Sequence, residues 1–514
     1  MGGLRRQLTT LDLVILGIAG SIGTGVLFAV AGMAALAGPG MVIAWIVGAV
    51  MFLFIALTYV DLSVRYPEAG GPARYSLYTH GRTTNMINAF SSLIWYLFIP
   101  PVEALGATEG LNFFYPHFIN AHGDPTTIGA IVAALIMALF LPFNYFGIKA
   151  FAKSTTPLGI VKLAMYLLVA LGFLGFARFA NFTGFGGIAP FGLGGVFAAV
   201  PLAMFAYGSI RVLPDYAEEV KRPQELRRSI LWSVGGQTAI YLLFAVAFIA
   251  GLNWSAAKIH PGAWPALSTL PGNPFLVLAK DYNVVWLIGV TVAIAILGPF
   301  VSGYIYQGAG SRVLLAMGRS GYVNRHMKDL SDRYAVPAWS LLVFTGVGII
   351  VAYIAAPLPN IFSLITDGVV AGYIGYAVNP VSMLVVNRQQ GVKLRLGRQV
   401  LAALALASSS LIIYWSGWPS VPYAVAILAV LSLLFGLVYK VKEGLGNSLW
   451  YVVYIAFLAF MTWIGSVGAQ KLVSVDTGSI VVVLISIVVF LPWGVSSGLP
   501  QAEDAPVLGV AADA

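Results

Sequence analysis

The chain has 514 residues, of which 59% are hydrophobic and only 9% carry a charge. A water-exposed surface draws on roughly 25% charged residues, so a soluble globular protein is excluded and a polytopic membrane protein is indicated. The absence of cysteine removes disulfides, thiolate metal sites and cysteine nucleophiles. The histidines, His80, His117, His122, His260 and His326, show no ligand spacing outside the His117/His122 loop, so neither a metal nor a cofactor is expected.

Apolar stretches of about 20 residues mark about fourteen candidate spans. They run over 11–36, 40–64, 85–113, 126–146, 154–177, 194–210, 229–251, 283–311, 338–356, 360–386, 399–416, 421–439, 449–468 and 478–496. Breaks such as Gly38-Pro39-Gly40 and Ala356-Pro357-Leu358-Pro359 separate neighbours. The first stretch lacks a small-residue cleavage site and is expected to stay as a helix. The loop over 252–282, with Trp254, Trp264, Pro261, Pro265, Pro271 and Pro274, is expected to form a partly ordered cap. The Ala/Pro-rich end over 497–514, with Glu503, Asp504 and Asp513, is expected to be a disordered tail.

The net charge of +9 would suit nucleic acid, but its placement refuses that reading. With the N-terminus inside, 23 of the 28 Lys and Arg fall in segments on one side and four, Arg178, Lys258, Lys280 and Lys471, on the other. That asymmetry is the positive-inside pattern. It predicts a multi-pass protein of the plasma membrane with both termini in the cytoplasm, a lipid partner and no nucleic acid.

Two spans look interrupted. The first reads Leu16-Gly17-Ile18-Ala19-Gly20-Ser21-Ile22-Gly23-Thr24-Gly25-Val26. Each glycine costs about 1 kcal/mol of helix propensity against alanine, and unwound backbone at membrane depth belongs in protein or along a cavity. Close helix packing is the plainer use of such glycines. The second interruption, Phe205-Ala206-Tyr207-Gly208-Ser209, falls in the sixth span. Paired interruptions at corresponding places mark inverted-repeat carriers. Free amides at a half-helix N-terminus suit a carboxylate, and free carbonyls at the facing end suit an ammonium. An amino acid offers both groups.

These residues resemble the amino acid–polyamine–organocation (APC) superfamily of transporters. Gly20-Ser21-Ile22-Gly23-Thr24-Gly25-Val26-Leu27-Phe28 is similar to its glycine-rich first-helix signature. Tyr59-Val60-Asp61-Leu62 with Tyr66-Pro67-Glu68-Ala69-Gly70-Gly71 resembles the end of its second helix. Phe205 to Ser209, followed by Ala217-Glu218-Glu219-Val220-Lys221-Arg222-Pro223, resembles its sixth helix and exit. Ser311 to Gly321 is a fourth, weaker match. The resemblance spans residues 1–386 in order.

It implies an all-α, leucine-transporter-like fold. Spans 1–5 (1–178) and 6–10 (194–386) would be inverted repeats, with four additional spans over 399–496. It also implies that Ser21, Gly23 and Gly25 receive the substrate carboxylate, while carbonyls near Ile18, Phe205 and Ala206 receive the amine. Thr24, Gly208 and Ser209 complete the two broken segments, and Tyr207 would be a lid or pocket wall. Two departures matter. Fourteen spans point to the cationic amino acid branch, yet Arg211 stands where many members place Glu. A cation there should repel cationic substrates, unless Asp215, four residues on, pairs with it.

Charge at bilayer depth costs at least about 2.5–3.5 kcal/mol on insertion scales. Lys162 in the fifth span either snorkels to the interface or serves proton coupling, since burial penalises the ammonium. The resemblance favours the latter, because a lysine near this place fills the volume that sodium takes in sodium-coupled relatives. Glu103, after Pro100-Pro101, either binds a proton or caps backbone freed by the prolines. Asp367 could face the same cavity or serve a turn with Gly368. Glu109 and Asp12, near span ends, are expected to be solvated. Trp95, Tyr96 and Phe98 suit packing or lipid more than a substrate box.

The expectation is a proton-coupled secondary transporter of amino acids, neutral rather than cationic. An exchanger or a polyamine or cationic amino acid carrier is the alternative within the class. A membrane-embedded enzyme would need a nucleophile with its base or a metal cluster, and no such constellation is visible. No phosphate-binding Gly-x4-Gly-Lys-Ser/Thr loop occurs either. The oligomeric state is not legible.

Overall fold

The computed structural model describes residues 3–120, 123–270, 272–356, 370–391, 395–466 and 468–500. His122, Pro271, Asp367 and residues 501–514 of the expected tail lie outside them. The described residues form helices, with pairing of extended backbone confined to isolated bridges such as Leu8 to Val220.

In chain order the main helices are α1 (Thr10–Ser21), α2 (Thr24–Ala37), α3 (Met41–Arg65), α4 (Tyr75–Leu111), α5 (Thr127–Tyr145), α6 (Ile148–Leu174) and α7 (Gly192–Tyr207). They continue with α8 (Glu225–Ala250), α9 (Val285–Arg319), α10 (Ala338–Ala355), α11 (Ala371–Tyr376) and α12 (Val378–Gln389). The chain closes with α13 (Leu396–Trp415), α14 (Ser420–Val438), α15 (Leu445–Ile464), α16 (Val475–Ile485) and α17 (Leu491–Ser496).

Twelve helical stretches among the described residues are long and apolar enough to cross a membrane, where the sequence led us to expect about fourteen. One of the twelve, Thr24–Arg65, joins two expected spans through Gly38-Pro39-Gly40. The tenth expected span, 360–386, lies partly outside the described residues. The protein is an all-α, multi-pass membrane protein. Its outer helices are apolar toward the lipid, as Val430, Leu433, Leu434 and Leu437 of α14 illustrate.

Inside this ring, α4 and α9 pack along each other as the central pair, and α1 packs against α6, α8 and α9. Thr9 and Asp12 start α1 with a reciprocal cap: Asp12 N–H donates to Thr9 Oγ1 and Thr9 N–H to Asp12 Oδ2. Asp12 also accepts from Thr156 Oγ1 at 2.6 Å, so it is a structural cap joining α1 to α6 rather than a solvated charge.

One face is tightly closed. Gln7 and Leu8 donate to the Glu219 carbonyl at 2.8 and 3.0 Å, and Lys221 N–H returns a bond to Leu8. Arg319 holds Glu218 through two N–H donors, and Arg312 holds Glu219 likewise. Burial pushes the Glu218 carboxyl up, but the Arg319 guanidinium and the Ala69 and Leu4 amides outweigh it and hold it below the usual value. The last described residues join the same face: Arg388 donates to the Val495 and Gly498 carbonyls, and Leu499 N–H to Thr79.

A cavity of about 570 Å³ enters from the opposite side. Thr24, Gly25, Phe28, Phe205 and Tyr373 line it, together with Ile119, Asp124 and Pro125 from the loop between α4 and α5.

Candidate functional site

The glycine-rich stretch of the first span breaks over two residues. α1 ends at Ser21, Ile22 and Gly23 leave the helix, and α2 restarts at Thr24. A charged side chain stands at each end. On the carbonyl side, Lys162 of α6 is fully buried. Its ammonium donates to the Ala19 carbonyl at 2.6 Å, the Gly298 carbonyl at 2.7 Å and Ser302 Oγ at 2.9 Å. Lys162 therefore does not snorkel: it fastens α6 to the break and to α9. Gly298 must be glycine here, because a methyl group would overlap the Tyr166 hydroxyl.

On the amide side stands Glu103 of α4. Its Oε2 accepts from Thr24 N–H at 3.0 Å and from Thr24 Oγ1, an anion on a helix N-terminus. Gly23 makes the approach possible, since a Cβ there would overlap the Glu103 carboxylate. The Gly23 carbonyl in turn accepts from Tyr166 at 3.3 Å. Glu103 thus caps α2, not the carbonyls around Pro100 and Pro101.

The second interruption has a different form. α7 runs unbroken through Phe205, Ala206 and Tyr207, then tightens into a 3-10 turn over Gly208–Arg211 and a short α-turn, Val212–Asp215. Ser209 and Ser21 place their hydroxyls in contact, joining the two interruptions. Ser209 Oγ and Gln237 Nε2 of α8 both donate to the Gly17 carbonyl at 3.0 Å.

The expected binding residues therefore divide. Thr24, Gly25 and Phe205 line the cavity. Ser21, Gly23 and Ser209 lie within the contacts just described. The Ile18 carbonyl accepts from Ile22 N–H and the Ala206 carbonyl from Tyr241 Oη, so each oxygen already takes one bond from the chain itself. Gly208 gives room to the Trp95 ring, which a methyl group there would overlap. Tyr207, expected as a lid or pocket wall, is buried among Trp45, Phe52 and Tyr241 and does not line the cavity. Its place on the cavity wall falls to Phe205 and Tyr373.

Arg211 is 1% exposed. Asp215 does not hold it; Asp215 Oδ2 accepts from Tyr96 at 2.5 Å. The guanidinium lies over the rings of Tyr376 and Trp95, at 4.7 and 5.4 Å from their centroids. Trp95 and Tyr96 are buried packing residues, not lipid-facing ones. Glu109 is half-buried on the cavity wall rather than solvated.

Ser302, Gln237, Tyr166 and Tyr373 were not singled out in the sequence, although they build the site. Ser302 and Gln237 were visible as lone polar side chains in apolar helices. Tyr166 and Tyr373 carried no such signal, since aromatic residues are common throughout these spans.

The profile of the family described as amino acid permease matches residues 8–421. The chain is 27% identical to an aspartate-proton symporter of Bacillus subtilis, over 98% of both chains. It is 28% identical to a glutamate/serine transporter of the same organism, over 97% of this chain and 95% of the relative. A branched-chain amino acid permease, also of Bacillus subtilis, is 24% identical over 81% of this chain and 90% of its own length. Family and relatives are transporters, not enzymes.

Proposed function

The chain belongs to the amino acid permease family, and from that premise we propose that it is a proton-coupled amino acid symporter of the plasma membrane. Both termini face the cytoplasm in this reading, as the distribution of Lys and Arg favours. The segments 1–178 and 194–386 alternate access as two inverted repeats, with 399–496 beside them.

One observation carries the coupling: the break in α1 holds an ammonium at its carbonyl end and a carboxylate at its amide end. An amino acid brings the same two groups. Its carboxylate and Glu103 compete for one N-terminus, and two carboxylates cannot share it while both are charged. A proton on Glu103 removes the repulsion and weakens its hold on Thr24, so proton and substrate enter together. Lys162 links that event to α6 and α9 through its bonds to Ala19, Gly298 and Ser302. A ligand can shift the carrier between access states only through such differential contacts. The proton symport named for one full-length relative supports the reading.

Substrate charge follows from Arg211. A buried guanidinium near the cavity floor disfavours lysine, arginine and polyamines, whereas neutral amino acids meet no such penalty. The test is uptake by the purified full chain in proteoliposomes. Neutral amino acids should accumulate when an inward proton gradient is imposed, and a protonophore should abolish the accumulation. Uptake that is indifferent to the gradient, or competed best by polyamines, overturns the reading.

A further inference from the structure

The protein contains two deeply buried arginines of opposite character. Arg312 donates through Nε and Nη2 to both oxygens of Glu219, at 2.5 and 2.8 Å. Arg211 is equally enclosed, yet no carboxylate holds it. Its Nε and Nη1 have no hydrogen-bond partner. Its Nη2 makes two long contacts, 3.5 Å to Tyr59 Oη and 3.4 Å to the Gly372 carbonyl. Each of the two forked edges of the guanidinium, Nε/Nη2 and Nη1/Nη2, therefore keeps a free N–H. Buried charges are ordinarily paired, and an unpaired one inside a membrane protein marks a functional site.

Trp95 separates this group from the cavity. One side of the indole meets Arg211. Around it lie Phe205 and Tyr373, at 5.9 and 5.5 Å between centroids, and both line the cavity. Small residues back the arrangement. A Cβ on Gly372 would come within 2.5 Å of the Trp95 side chain and 3.0 Å of Arg211 Nη1. The guanidinium is thus one aromatic ring below the cavity floor.

We propose that Arg211 is the side-chain subsite of the carrier and that it selects amino acids bearing a second carboxylate. Displacement of the Trp95 and Tyr373 rings brings that carboxylate onto the open fork, where a planar guanidinium binds two oxygens at once. The α-carboxylate stays at the break in α1, so the two acidic groups of one substrate are read by different halves of the chain. A neutral side chain leaves Arg211 on its aromatic partners, so the same site can also take a neutral amino acid. The proposal rests on the amino acid reading above.

The test uses the full chain in proteoliposomes with labelled aspartate and labelled serine. Aspartate should enter the parent protein, and unlabelled asparagine, its uncharged amide, should compete about tenfold less well than aspartate. Arg211→Gln should lower aspartate entry about tenfold while serine entry changes by less than about twofold. Equal competition by aspartate and asparagine, or an unchanged aspartate-to-serine ratio in Arg211→Gln, overturns the proposal. Should Arg211→Gln fail to fold, Arg211→Lys carries the test, because an ammonium keeps the buried charge but cannot fork. Its aspartate-to-serine ratio should fall, and an unchanged ratio overturns the assignment. Failure of the parent to take up any amino acid is a different result, and overturns the amino acid reading instead.

Discussion

The two interruptions of the bundle, signalled by Gly17, Gly20, Gly23 and Gly25 in the first span and by Gly208 alone in the sixth, differ in form and in charge. At Ile22 and Gly23 the helix opens, and the protein supplies an ion to each exposed end, Lys162 and Glu103. At Gly208–Arg211 the helix only tightens, and the cation it carries has no carboxylate hydrogen-bonded to it. The first is internally compensated and can stand empty of ligand. The second holds an unmet demand for negative charge. Glycine marks where the backbone departs from the α-helix; the ionisable neighbours decide what the departure is for.

The comparison can be broken most severely at Lys162. Lys162→Ala removes a donor from three acceptors, of which Ala19 keeps only the Ser302 hydroxyl, and leaves Glu103 without a nearby buried cation, a change of about 3–5 kcal/mol. Gradient-driven uptake should be abolished, while exchange of preloaded substrate survives; counterflow against gradient-driven assays separates the two. Gly23→Ala comes next, since its methyl group overlaps Glu103 and overpacking costs about 1–3 kcal/mol. Uptake should fall steeply, and the double variant Gly23→Ala with Glu103→Ala should recover substrate binding if the carboxylate is the obstacle.

Glu103→Gln sharpens the contrast more finely. The amide can still accept from Thr24 but carries neither charge nor titratable proton. Substrate binding, followed by thermal stabilisation of the purified protein, should then lose its rise toward acidic pH. Tyr96→Phe removes the donor of Asp215, a bond to a charged group worth about 1.5–3 kcal/mol. It should lower thermal stability without changing the ratio of aspartate to serine uptake.

The smallest effect is expected at the closed face. Glu218 is held below its usual value in the folded protein, so its contribution to closure is present above the ordinary glutamate range. It is lost as pH falls through the lowered value. Because the chain has no cysteine, a single cysteine placed at Val220, which is buried beside Leu8 in the closed face, reports the opening directly. Its labelling rate, taken relative to a free thiol at the same pH so that the loss of thiolate cancels, should rise in acid, and Arg319→Ala should remove that pH dependence.

Much of this was legible beforehand. The first break, the burial of Lys162 and the anomaly of Arg211 follow from glycine density and from charges in apolar runs. The partners were not legible, because a hydrogen bond from α6 to Ala19 depends on how helices far apart in sequence meet. Asp215 shows the limit well: four residues from Arg211 along a short α-turn, it looked like its ion pair, but the guanidinium lies over Tyr376 and Trp95 while the acid accepts from Tyr96 of α4. Tyr207 misled for a related reason. The α-helix persists through it, so its side chain stays with the scaffold around Trp45 and Tyr241.

The three bonds of Lys162 have an arithmetic of their own. An ammonium has three hydrogens, and each is spoken for by Ala19, Gly298 or Ser302. A neutral amine has two hydrogens and a lone pair. Ser302 could turn its hydroxyl to that lone pair only by giving up its own bond to Ala19, which spans 3.1 Å. Whichever way the seam rearranges, removal of one proton leaves it one bond short, and the bond lost is one of the four that tie α1, α6 and α9 together.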